Sequence, residues 1–353
     1  ARPGWRSPPA SLCAQIVAPY PPPGSIGIAS QSGNFVSSFM NWSRHSGVGI
    51  SRAVSAGNSA MTDVTDLLAH YATDAETSVA LTYVESIEDG RAYYERVREV
   101  AATIPVVVVK GGASALGARA AASHTGALAA DDAVFAGACR QAGITRAATV
   151  EEAFEAAATF ATQPLPRGPR TVVFTTAGGW GVVTADAIAE SSLELASLPD
   201  DLMAALDERL PPRWSRNNPV DLAGGETRDT IPELMEIIVA HDAVDAVVFL
   251  GLGIQSNLAR MERDGPFHPD HGLERIVAYH ERQDRRFAEA AAELSTRYDK
   301  PILTATELAV SDPTNAGPAA VRESGRLCYA SSNRAVTALD HLWQRARHSQ
   351  RRG

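Results

Sequence analysis

The 353-residue chain is 45% hydrophobic and 21% charged with a formal net charge of −9, the balance of a globular protein and not of a nucleic-acid binder. Three widely spaced cysteines, Cys13, Cys139 and Cys328, form no CxxC pair, which argues against a disulfide scaffold or a zinc site. No run approaches the ~18 apolar residues of a membrane span, so a cytoplasmic protein of two ordinary domains, with neither membrane nor nucleic acid as partner, is expected.

Residues 1–23 hold Pro3, Pro8, Pro9, Pro19 and the run Pro21-Pro22-Pro23, and read as an extended lead with no fold of its own. Residues 25–30 read as a short buried strand, Gln31-Ser32-Gly33-Asn34 as a turn and 35–45 as a helix. Strand 49–54, helix 62–73, strand 79–84 and helix 89–103 follow. Residues 105–109 are a β-branched run suited to a central parallel strand. An Ala- and Gly-rich segment containing His124 leads into helix 131–141, strand 144–147 and helix 150–162.

Residues 164–169 form the clearest linker, and after it the order repeats. Strand 171–175, the turn Thr176-Ala177-Gly178-Gly179 and helix 180–191 match the opening of the first half. A strand at Leu195, helix 199–210, the loop Asn217-Asn218-Pro219-Val220-Asp221-Leu222, helix 232–241 and strand 246–250 come next. A long charged helix, 273–298, and strand 301–304 precede residues 329–343, which close the fold ahead of a basic tail, 346–353. The alternation predicts two tandem parallel-sheet α/β domains, 24–163 and 170–345, related by duplication. In such sheets ligands sit at the carboxyl ends of the strands.

Two turns follow a strand and open a helix: Ser32, Gly33 and Asn34 in the first half, Ala177, Gly178 and Gly179 in the second. Small residues admit a ligand close to the backbone, and a helix N-terminus carries roughly half a positive charge, which favours an anion. Each turn alone is equally compatible with a tight βα connection. Neither matches GxGxxG or the phosphate-binding GxxxxGK[ST]. His124 lies among small residues beyond the strand 105–109, at a sheet edge, where an imidazole near its ordinary pKa is a competent nucleophile toward phosphorus. A catalytic and a structural role are level there on the residues alone.

Ser123-His124-Thr125-Gly126-Ala127-Leu128 resembles the phosphohistidine motif of the ADP-forming acetyl-CoA synthetases, relatives of succinyl-CoA synthetase. Residues 27–34 resemble that family's first phosphate-facing helix start, Val84-Glu85-Ser86 the position of the glutamate that orients the histidine, and Ala177-Gly178-Gly179-Trp180-Gly181-Val182 the second phosphate-facing helix. Asn218-Pro219-Val220-Asp221-Leu222 matches a loop beside it. The resemblance implies two flavodoxin-like domains and an NDP-forming acyl-CoA synthetase. In that reaction phosphate attacks an acyl-CoA, the acyl phosphate phosphorylates His124, and the phosphoryl group passes to ADP. It places Glu85 on the imidazole and Ser32, Gly33, Asn34, Gly126, Ala177, Gly178 and Gly179 on the phosphate. Asn218 and Asp221 fall in a substrate loop, and no metal ligands are implied.

The family's CoA-binding domain and its ATP-grasp domain have no counterpart in these residues. CoA and Mg-ATP or Mg-ADP are therefore expected through partner domains or subunits, with an oligomer as the working form and no cofactor held tightly by this chain. Ala113 stands where relatives often have arginine, and Ala130 where they often have glycine. A non-catalytic binding or regulatory module, or a truncated gene product, remains the alternative expectation.

Overall fold

The computed structural model describes residues 4–14, 20–57, 62–114, 116, 117, 119, 131–222, 230–306, 312 and 314–352. The chain divides into two compact units, Ala1–Thr162 with His348–Gly353, and Gln163–Arg347.

The first unit opens with a hairpin, β1 (Gly4–Ser7) and β2 (Leu12–Ala14). There follow β3 (Pro23–Ser30), α1 (Gly33–Ser46), β4 (Ile50–Ser55), α2 (Val64–Tyr71), β5 (Val79–Val84) and α3 (Gly90–Thr103). The unit continues through β6 (Val106–Lys110), α4 (Asp132–Ala142), β7 (Thr145–Arg146) and α5 (Val150–Thr162). The sheet order is β2-β1-β4-β3-β5-β6-β7, with β3 to β7 all parallel. Counted from β3, the parallel strands run 2-1-3-4-5, the flavodoxin order, whose switch point lies between β3 and β5. Leu68 and Tyr71 of α2, Val97 of α3 and Phe135 of α4 bury against Ala80, Val84, Val106 and Val108 of the sheet. Helices α1 and α5 meet through the rings of Phe39, Trp42 and Phe154.

The proline-rich lead is not the free linker its composition suggested. β1 pairs antiparallel with β4 and extends the sheet, while Pro8 and Pro9 fall in the turn between β1 and β2. Proline lacks a ladder donor and is tolerated at such an edge turn.

The second unit comprises β8 (Arg170–Thr175), α6 (Gly178–Ala189), β9 (Glu194–Leu195), α7 (Asp200–Asp207), β10 (Val220–Asp221) and α8 (Thr230–Ala240). It goes on through β11 (Ala246–Leu250), α9 (Ile254–Arg263), α10 (Leu273–Tyr298), β12 (Ile302–Ala305), α11 (Ala316–Glu323), β13 (Cys328–Tyr329) and α12 (Ser332–Gln350). Its strands are parallel in the order β10-β8-β11-β12-β13, with β9 also on β8. The same 2-1-3-4-5 order recurs, with the second strand split between β9 and β10. Leu202 of α7, Leu234 and Met235 of α8 and Phe287 of α10 join Phe174 and Phe249 in its core. Residues 346–350, expected as a solvated tail, continue α12. The apolar spacing of Leu339, Leu342, Trp343 and Ala346 runs into that stretch, and all four are buried.

Asn218 explains how a split strand holds together. Its Oδ1 accepts from the Val173 amide at 3.0 Å, and its Nδ2 donates to the carbonyls of Thr171 at 2.9 Å and Ala196 at 3.0 Å. The side chain is 3% exposed and bridges β8 to the residue after β9. Its carboxamide is committed to the backbone, which corrects its placement in a substrate loop. Asn218→Ala strands two buried backbone groups, the Val173 amide and the Ala196 carbonyl, while the Thr171 carbonyl keeps the Ala196 amide at 2.9 Å, so it is expected to cost about 2 kcal/mol, read as a lower urea midpoint with an unchanged m-value.

Candidate functional site at the strand ends

Both glycine turns are built by one device. Ser30, the last residue of β3, has a hydroxyl that accepts from the Ser32 amide at 3.0 Å and donates to the Ser32 carbonyl at 2.9 Å. Thr175, the last residue of β8, does the same with Ala177, at 3.0 and 2.9 Å. Each hydroxyl stands three residues before the first helical glycine, Gly33 or Gly178. The N-cap residues Ser32 and Ala177 make no side-chain cap hydrogen bond, so neither side chain occupies the first-turn amides. By contrast α2, α3 and α4 are capped by Asp63, Asp89 and Asp131.

In the first unit the turn is tied to the end of β5. Gln31 Oε1 accepts from the amides of Glu85 at 2.6 Å and Ser86 at 3.1 Å, while Nε2 donates to the Ser86 carbonyl at 3.0 Å. The Gln31 amide donates to the Tyr83 carbonyl at 3.1 Å. The Glu85 side chain lies beside the Tyr83 phenol, which is hydrogen-bonded to it. Burial, then the charge and hydrogen bond of Glu85, push the Tyr83 hydroxyl well above the usual phenol range, so it stays a donor. Both groups close over Gly111: a Cβ there would sit 2.7 Å from the Tyr83 oxygen and 3.4 Å from Glu85 Cγ. Only glycine fits, at the start of the segment that leads to His124. A polar cavity of about 320 Å³ opens beside this tie, lined by Gln31, Glu85, Ser86, Asp63, Tyr93 and Arg96 among others.

The structure thus brings Ser32, Gly33 and Asn34 to one switch point with Glu85. His124 and Gly126 lie outside the described residues. Lys110 is buried; its ammonium donates to the Gly111 carbonyl at 3.3 Å and lies 4.0 Å from Asp132.

In the second unit Asp221 meets Gly178. A Cβ on Gly178 would lie 2.5 Å from Asp221 Oδ2, so this carboxylate rests on the first residue of α6. The sequence reading had missed Ser30, Thr175 and Gln31. A hydroxyl three residues before each turn glycine was the available signal for the first two. Nothing local marked Gln31, whose partner is 54 residues away. Among the described residues no group of three His, Cys, Asp or Glu is placed to hold a metal ion, and no helix is long and apolar enough to cross a membrane.

Residues 23–160 match the succinyl-CoA ligase like flavodoxin domain, and residues 171–253 match the ligase-CoA domain. The chain therefore carries matches to these two domains in tandem. Among proteins of known name it is similar to the alpha subunit of acetate–CoA ligase (ADP-forming) I of Pyrococcus furiosus, at 39% identity over 62% of this chain and 49% of that subunit. It is also 38% identical to acetate–CoA ligase (ADP-forming) I of Archaeoglobus fulgidus, over 65% of this chain and 33% of that protein. Among solved structures, acetyl-coenzyme A synthetase 1 of Ca. Korarchaeum cryptofilum, in complex with phosphate and ADP, superposes with a TM-score of 0.78 at 26% identity. That match covers 98% of this chain and 70% of the other. The chain spans about half the length of the first relative and a third of the second.

The matched hydroxyls carry a paired expectation. Ser30→Ala and Thr175→Val each remove two hydrogen bonds from a turn, and each is expected to destabilise its own unit by about 1–3 kcal/mol. Hydrogen exchange checks this: amides at residues 31–36 accelerate in the first variant, and those at 176–181 in the second, with the other unit unchanged.

Proposed function

We propose that this chain is the phosphohistidine core of an NDP-forming acyl-CoA synthetase, which interconverts acyl-CoA, phosphate and ADP with a carboxylic acid, CoA and ATP. The observation that carries this reading is the tie, through Gln31, of an uncapped helix start at Ser32-Gly33-Asn34 to the backbone of Glu85, at the switch point of a succinyl-CoA ligase-like domain. Phosphoryl transfer asks a protein mainly for positioning and charge stabilisation, and both are supplied there.

In the proposed relay, phosphate displaces CoA from the acyl-CoA to give an acyl phosphate. One nitrogen of His124 then attacks its phosphorus. The N–P bond forms as the P–O bond breaks, and the carboxylate leaves with the electron pair. Glu85 accepts a hydrogen bond from the other ring nitrogen, which fixes the tautomer and favours the cationic ring of the phosphohistidine. Free amides at the start of α1 stabilise the phosphoryl oxygens. ADP then takes the phosphoryl group.

CoA and Mg-nucleotide are bound in this scheme by CoA-binding and ATP-grasp modules, whether partner subunits or further domains. The acetate–CoA ligase subunit from P. furiosus is an alpha subunit by name, which supports a partnered arrangement. The test is phosphorylation from γ-labelled ATP with Mg²⁺ and a cognate ATP-grasp partner. The wild-type chain is expected to take up an acid-labile, alkali-stable label, and His124→Asn to lose it entirely. Equal labelling of the two, or none in either, removes the reading in favour of a non-catalytic module.

A further inference from the structure

We propose that Gln31 is the positioning residue for Glu85, coupling the phosphate-binding turn to the carboxylate that orients His124. This rests on the function proposed above and assigns a role to a side chain which that scheme leaves unused.

Gln31 is the first residue after β3, one before the uncapped N-cap Ser32. Its carboxamide reproduces a backbone peptide. The oxygen satisfies two successive amides, Glu85 and Ser86, and the nitrogen satisfies the carbonyl of Ser86. These groups lie just beyond the end of β5, where the ladder no longer pairs them. One side chain therefore fixes the backbone of Glu85 to the turn that faces the phosphate. The Glu85 carboxyl is fixed separately, by the Tyr83 hydroxyl over Gly111. With main chain and side chain both held, Glu85 has little freedom to swing from an imidazole placed against it. Preorganisation of this kind is where an orienting carboxylate gains its effect.

The second unit serves as an internal control. There Thr176 holds the position of Gln31, one residue after the strand-end hydroxyl of Thr175, and the apolar Leu252 holds that of Glu85, because Thr175 pairs with Leu250 as Ser30 pairs with Tyr83. Thr176 still reaches the end of β11: a Cβ on Gly251, the residue after Leu250, would lie 2.0 Å from the Thr176 hydroxyl. That hydroxyl has no hydrogen-bond partner. The same frame, with the same turn, folds without a side-chain tie between its first and third strands. The carboxamide at residue 31 is thus an addition found where the carboxylate is found, and the fold does not require it.

Two readouts on the full-length chain test this. Gln31→Met keeps length and removes the polar ends, while Gln31→Glu keeps the acceptor for both amides. Hydrogen exchange at the Glu85 and Ser86 amides is expected to quicken at least tenfold in Gln31→Met and by less in Gln31→Glu, which keeps the acceptor but loses the donor to the Ser86 carbonyl, with β5 itself unchanged. Unchanged exchange at those two amides in Gln31→Met overturns the tie.

The second readout is phosphorylation by acetyl [³²P]phosphate, which needs no ATP-grasp partner. Gln31→Met is expected to lower the maximal labelling rate about tenfold with little change in the half-saturating acetyl phosphate concentration. In a Glu85→Gln background the same substitution is expected to have no further effect, because it acts through Glu85. Equal losses in both backgrounds overturn the positioning role. Absence of His124-dependent label in the wild type removes the phosphohistidine reading, and with it the role in orienting His124, while exchange still decides whether the clamp exists.

Discussion

In each unit the first strand lies inside the sheet, with the second strand on one side and the third on the other. The chain winds in opposite senses to either side of β3 and of β8, so the helices after the first and third strands part at their carboxyl ends. At each of these openings the reciprocal hydroxyl of Ser30 or Thr175 closes the turn locally, and in the first unit Gln31 also ties it to the residues after β5. The helix that follows starts with its amides free because the cap residue has already been used to make the turn. The uncapped helix starts at these two places follow from strand order before they depend on any particular side chain.

Most of the parallel frame was legible in the residues, because it rests on short-range signals. The β-branched run 106–109, the two glycine turns and the Pro-rich linker each announce themselves locally, and the alternation of strands and helices then leaves few topologies. What was not legible depends on distant partners. Pro-rich residues 1–23 looked structureless because a two-strand edge hairpin has no core face of its own; its pairing with β4 decides it. The split second strand of the second unit gave only two residues at each end, Glu194-Leu195 and Val220-Asp221, too short for any periodicity.

The site followed the same division. Glu85 and the turn residues were found because they match a family's local motifs, while Gln31 was passed over inside one of those motifs. Its neighbours in sequence say nothing of a partner on β5. Asn218 failed in the opposite sense: a polar residue in an Asn-Pro loop invites a ligand, yet three backbone groups of a broken sheet edge consume it. A buried carboxamide can stand in for a missing peptide, and both Asn218 and Gln31 do so, one for the fold and the other beside the proposed chemistry.

The two turns are alike in backbone and unlike in charge, and this sets their division of labour. At the start of α1 the side chain that ties the turn is a neutral carboxamide, and the carboxylate of Glu85 is drawn toward Tyr83 and Gly111. At the start of α6 a carboxylate, Asp221, rests directly on Gly178. Two unit charges about 4 Å apart repel by about 4 kcal/mol at an effective dielectric constant near 20, and a phosphoryl dianion doubles that. The favourable interaction of a helix N-terminus with an anion is only about 0.3–2 kcal/mol, so it does not offset such repulsion. Asp221 therefore weighs against a dianion at the α6 turn. By this argument the α1 turn is the stronger of the two proposed phosphate sites.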